Sequence, residues 1–168
     1  MAPDRSESWP RFCRWASLIG NEFWPHPSVG QDQSMERVVD LDRAADEVAE
    51  RRPGWSSRGL VVGPVTWRDE SAPWPQRLET ERSRVGDPDS IGVHFSGSGG
   101  AELVIVLFRG GWADVDFIAT LDDAGVIPAP DVASVRGFGD LLDRCVARVF
   151  GSCEDADGRS SVGPSSAP

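Results

Sequence analysis

The chain has 168 residues, with 27 acidic side chains against 17 basic ones and a net charge of −10; every basic residue is an arginine. That length suits one domain. The charge repels phosphate backbones, so it argues against a nucleic-acid binder and for a cationic partner. No apolar run reaches the ~18 residues that a membrane span needs, and the N-terminus lacks the continuous apolar stretch of a signal peptide. Three cysteines without C-x-x-C spacing argue against a disulfide framework or a zinc site and fit a cytoplasmic location.

Residues 1–34 hold three of the seven tryptophans among scattered Pro, Ser and Arg. Trp9, Phe12, Ala16, Ile19 and Phe23 recur at helical spacing, which reads as a peripheral helix or an N-terminal arm. Translation from Met35 would instead leave this segment outside the native chain. From Met35 the pattern is regular. Asp40 or Asp42 caps a helix through about Arg52, with Leu41, Ala44, Ala45 and Val48 on one face, and Pro53-Gly54 is expected to end it. "GLVVGPVTW" (59–67) is a strand broken at Gly63-Pro64, and the proline places it at a sheet edge or bulge. "IGVHF" (91–95) alternates. "ELVIVLF" (102–108) is apolar on both faces, as a central strand covered on both sides would be. "WADVDFIA" follows as the next strand. After "DDAG" and the breaks at Pro128 and Pro130, Phe138, Leu141, Leu142, Cys145, Val146, Val149 and Phe150 form the apolar stripe of a last helix, which Gly151 closes. The tail over 152–168 has a disordered composition. The expected fold is α+β: one domain over 35–151, in which an antiparallel meander of about four strands is packed by an N-terminal and a C-terminal helix.

Turn chemistry sets which side chains share a face. A two-residue primed turn at Gly110-Gly111 places Arg109 opposite Trp112, Phe108 opposite Ala113, Leu107 opposite Asp114 and Ile105 opposite Asp116. One face then holds Val104, Val106, Phe108, Ala113, Val115 and Phe117, and is expected to meet a helix. The other holds Leu103, Ile105, Leu107, Arg109, Trp112, Asp114, Asp116 and Ile118, joined by Ile91, Val93 and Phe95. An unpaired acid in such surroundings is costly. Arg109 is therefore expected to pair with Asp114 and to stack on Trp112, unless the acids lie in water at a sheet edge. His94 is expected to face Glu102.

No catalytic or metal-binding residue set is assigned. Asp114-x-Asp116 with His94 could serve a small metal-dependent hydrolase, but a divalent ion normally asks for more oxygen ligands. Trp55, Trp67 and Trp74 could line a carbohydrate-binding platform, against the commoner use of tryptophan in packing. "SGSGG" leads into a strand and the chain has no lysine, so a phosphate-binding loop is discounted. No cofactor is implied. The least random signal is charge: from Arg109 to Asp143 there are seven acids against Arg109 and Arg136. Arg109, Trp112, Asp114, Asp116, Asp122 and Asp123 are the candidate partner-binding residues, suited to a cationic protein surface.

Through "SIGVHF…ELVIVLF", "GGWADVDF" and the closing "FGDLLDRCV" helix, residues 35–151 resemble the small acidic immunity proteins of actinobacterial polymorphic-toxin systems. The resemblance is one of size, charge and element order. It implies a cytoplasmic, non-enzymatic protein that binds and blocks a cognate toxin, and it transfers no individual functional residue.

Overall fold

The computed structural model describes residues 37–151; the arm expected over 1–34 and the tail expected over 152–168 lie outside the described residues. The first helix, α1, runs Leu41–Ser57 and is capped by Asp40, whose carboxylate accepts from the Asp42 and Arg43 N–H groups. It does not stop at Pro53 as expected but continues through it for another turn. The reason is tertiary. Trp55 is buried, with its ring edge-on to Phe95 at 4.9 Å, and burying an aromatic of that size outweighs the hydrogen bond that proline removes. The helix ends one turn later at Gly59, which sits at φ 82°. Gly59 N–H donates to the Ser56 carbonyl and Leu60 N–H to the Trp55 carbonyl, the Schellman pairing that a glycine in the left-handed region permits.

Six strands follow: β1 (Val61–Val62), β2 (Thr66–Asp69), β3 (Pro88–Ser96), β4 (Glu102–Phe108), β5 (Trp112–Thr120) and β6 (Asp123–Val126). They form one antiparallel sheet, two strands more than the sequence pattern suggested. β1 and β2 both pair with β3 and together make one interrupted edge, broken at Gly63-Pro64 as the proline implied. Arg52 fills the break by donating to the Val62 and Gly63 carbonyls at 2.6 and 2.9 Å. β6 lies in the stretch read as a loop, and makes the opposite edge.

The closing helix α2 spans Val135–Phe150, with Ser134 as N-cap and Gly151 at its end. Its expected apolar stripe is the buried one: Phe138, Leu141, Leu142, Cys145, Val146 and Val149. Both helices pack on the same face of the sheet, against Ile91, Val93, Phe95, Leu103, Ile105, Leu107, Ala113, Val115 and Phe117, all buried. Arg51 joins the helices by pairing with Glu47 and with Asp143. The absence of a side chain at Gly139 makes room for it, since a Cβ there would collide with the Arg51 guanidinium.

This core corrects the expected register. Phe108 faces Trp112, Leu107 faces Ala113, Val106 faces Asp114 and Val104 faces Asp116. The hairpin loop is therefore three residues, Arg109-Gly110-Gly111. Only Gly111 has positive φ, at 87°, and its N–H donates to the Phe108 carbonyl at 3.0 Å. A two-residue type I′ turn would need positive φ at both glycines; one alone at the third loop position fits the longer connection. The extra residue slips β5 by one and carries every β5 side chain to the other face. Ala113, Val115 and Phe117 thus join Leu103, Ile105 and Leu107 beneath the helices, whereas Val104, Val106 and Phe108 join the acids. The β3–β4 register differs from the expected one by two residues, which preserves the faces: Phe95 lies opposite Leu103.

Candidate functional site

The face of the sheet opposite the helices carries the unusual chemistry. No described element packs on it, so β4 is central but covered on one side only. Its side chains follow from the register in four cross-strand rows. They are Ser90–Phe108–Trp112, Gly92–Val106–Asp114, His94–Val104–Asp116 and Ser96–Glu102–Ile118. β6 adds Val126 beside Asp116. Past β6 the chain keeps tracking β5: Ile127 N–H donates to the Val115 carbonyl at 2.9 Å and Ala113 N–H to the Ala129 carbonyl at 2.8 Å. That alternation sets Pro128 beside Asp114 and Pro130 beside Trp112, on the same uncovered face.

The two prolines expected to break the chain thus prolong its edge. Ile127 and Ala129 turn their backbone groups inward to β5, so Pro128 and Pro130 occupy the outward positions. They lack the N–H that another strand would use, which protects the edge from pairing.

The face has a stacked upper row. The Phe108 and Trp112 rings lie 4.8 Å apart and 11° from parallel, an offset stack that these aromatics favour. The Arg68 guanidinium lies over the far side of Phe108, 5.6 Å from the ring centre. Its charge is matched by Asp89, which is fully buried and accepts from Arg68 Nε at 2.9 and 2.8 Å and from Nη2. On the other side of Trp112 a groove of about 440 Å³ opens, lined mainly by Trp112, Asp114, Val126, Pro128 and Pro130.

Asp114 is exposed, Asp116 half-buried, and neither forms an ion pair among the described residues. Burial among Val104 and Val126 holds the Asp116 carboxyl above its ordinary range, and the neighbouring Asp114 charge adds to the rise. A cation delivered to this pair would relieve both effects.

Of the six candidate residues, the fold brings together Trp112, Asp114 and Asp116. Arg109 does not join them: it is 7% exposed, with Nη1 on Asp87 at 2.9 Å, in a separate cavity near the start of α1. The longer hairpin loop is what turns it away from Asp114, and Phe108 takes the place expected for it against Trp112. Asp123 is committed elsewhere, paired in fork geometry with Arg148 of α2 at 2.9 Å on the helix side. Asp122 is exposed at the β5–β6 turn, apart from the trio.

The residues missed by sequence reasoning are Phe108, Val104, Val106, Val126, Pro128 and Pro130. The signal was in "FRGGW": the loop length decides whether Phe108 or Arg109 lies against the tryptophan.

The alternative chemistries find less support in the geometry. His94 does share a face with the acids, but Val104 stands between it and Asp116, two strand spacings or about 10 Å apart. His94 lies opposite Val104 rather than Glu102 and approaches Glu102 diagonally, Nε2 to Oε2 3.8 Å. Among the described residues no three metal-ligating side chains converge. Trp55 and Trp67 are each 4% exposed and belong to the core, which leaves Trp74, 86% exposed, alone of the three tryptophans a carbohydrate platform would use. Cys145 is buried in the core. No described helix is long and apolar enough to cross a membrane.

Set against protein-family models, curated proteins and solved structures, the chain shows no match.

Proposed function

We propose that this chain is a non-enzymatic binding protein of the immunity type, which covers a basic surface of a cognate toxin with its uncovered sheet face. The observation that carries the reading is the placement of Asp114 and Asp116. Two carboxylates without basic partners among the described residues stand amid half-buried apolar side chains, beside a stacked tryptophan. A fold that needed this face only for stability would gain by making it uniformly polar or by covering it. An apolar patch of this kind marks an interaction surface. Tryptophan at the centre with acids around it suits a partner whose contact residues are arginine and lysine. The net charge of −10 would steer such a partner in from a distance. On this reading the protein acts in the cytoplasm and needs no cofactor.

The test begins with the adjacent open reading frame. If it encodes a large secreted protein, its C-terminal domain is co-expressed with this chain and scored for growth and for affinity. Wild type should restore growth and bind with an affinity that falls as salt rises. Asp114→Lys/Asp116→Lys should weaken binding at least about 100-fold, since like charges juxtaposed in an interface cost several kcal/mol, and should flatten the salt dependence. An unaltered affinity and salt slope would refute the reading.

A further inference from the structure

Resting on that reading, we infer that the groove beside Trp112 takes an arginine side chain of the protein partner. The fold already contains the arrangement once. On the Phe108 side of the stack, Arg68 lies over the ring and pairs with the Asp89 carboxylate. The stack continues through Phe108 to Trp112. On the Trp112 side the same two ingredients recur, an aromatic ring and a carboxylate, Asp114, but among the described residues no arginine lines the groove. An arginine entering there would complete a four-layer stack of guanidinium, phenyl, indole and guanidinium.

The shape and lining select the guanidinium over an ammonium. The groove's volume of about 440 Å³ accommodates a long side chain, and Val126, Pro128 and Pro130 offer its methylenes apolar contact. A guanidinium is planar and weakly hydrated, so it lies flat on an indole and gives up little water in doing so. An ammonium is a compact, strongly hydrated charge that gains less from the same wall. Asp114 at the rim accepts the guanidinium N–H groups, and Asp116, one row further on, adds attraction without contact. Charge complementarity and the ring together therefore name the occupant as arginine.

The probe is N-acetyl-arginine amide, with N-acetyl-lysine amide as its control, titrated into the full chain while the Trp112 indole N–H is followed by NMR. The arginine probe should give a saturable shift at Trp112 in the millimolar range. The lysine probe should bind at least about fivefold more weakly, and Asp114→Asn should weaken the arginine probe by about fivefold. Trp112→Leu, in which binding is followed at the Asp114 backbone N–H instead, keeps both carboxylates and should abolish the preference for arginine over lysine; its own folding is checked by circular dichroism. Equal binding of the two probes, or arginine binding untouched by Asp114→Asn, would overturn the inference. If the arginine probe fails at Trp112 while the double charge reversal still abolishes toxin binding, the groove assignment falls and the proposed function stands. If the probes behave as expected but charge reversal leaves toxin binding intact, the groove binds arginine and the proposed function falls.

Discussion

The Arg68–Asp89 pair should respond unequally to loss of its two members. Asp89 is fully buried, whereas about a third of the Arg68 side chain remains in water. Replacing Arg68 with Met keeps an unbranched apolar stem but strips Asp89 of its countercharge. Among the described residues only the Ser90 hydroxyl, donating at 3.1 Å, then remains on the carboxylate. An uncompensated buried charge costs about 3–5 kcal/mol. Replacing Asp89 with Asn leaves Arg68, which can swing its guanidinium into solvent, so the loss is limited to the charge-assisted hydrogen bonds, about 1–2 kcal/mol after allowing for that exposure. A domain of this size has roughly 10 kcal/mol in hand, so both variants stay folded and can be compared. Urea unfolding followed by tryptophan fluorescence gives the difference. With a slope near 2 kcal/mol/M, the midpoint should drop by about 2 M for Arg68→Met and by less than about 1 M for Asp89→Asn. The double variant, which no longer buries a charge, should be more stable than Arg68→Met alone. If Asp89→Asn costs as much as Arg68→Met, or if the double variant is the least stable of the three, the assignment of the penalty to the buried carboxylate is wrong.

Acid should loosen the long loop between β2 and β3 through Asp69. Its carboxylate accepts from the Ser71 hydroxyl and from the Gly86, Asp87 and Ser71 N–H groups, and with the hydroxyl contributing most its pKa falls to about 2. A depressed folded-state value stabilises the fold above the ordinary carboxylate range and loses that contribution as pH drops from about 4 through 2. Urea midpoints of wild type should therefore decline across that window, and those of Asp69→Asn should decline less steeply from a lower starting point; parallel curves would contradict the assignment. At the opposite edge, Pro128→Val/Pro130→Val restores two outward N–H groups beside the exposed Val126. The variant should self-associate at concentrations where wild type is monomeric by light scattering, and an unchanged mass would show that the prolines do not guard the edge.

How much of this was legible in the sequence depended on whether a signal was local or decided by packing. The stripe of α2 could be read residue by residue, because seven apolar residues at that spacing have one helical solution. Asp40 as a cap and Gly63-Pro64 as an edge break were likewise local facts, settled by a side-chain oxygen and a missing N–H. Pro53 misled because the residue that overrides it, Trp55, acts through Phe95, 40 positions away. β6 was missed because "DAGV" has no alternation to show; it is a strand only because β5 offers it unpaired backbone groups. The hairpin was the costly error. Two adjacent glycines permit either a two- or a three-residue loop, and the choice between them is made by nine buried side chains that must all reach the helices.

That error bears directly on function. In the shorter loop, Asp114 and Asp116 would have faced Leu107 and Ile105 in the interior, and an internal arginine would have been needed to neutralise them. In the observed loop the same nine-residue strand puts Ala113, Val115 and Phe117 into the core and sends both acids outward. Arg109 is then released to Asp87, so the charge that could have silenced Asp114 is spent on the other side of the hairpin. Phe108 moves up against Trp112 in its place and holds the indole upright between Arg68 and the groove. One inserted loop residue thus converts a neutralised interior pair into an outward-facing acidic pair beside a fixed aromatic. This is why the uncovered face, rather than any single motif, carries the proposed function.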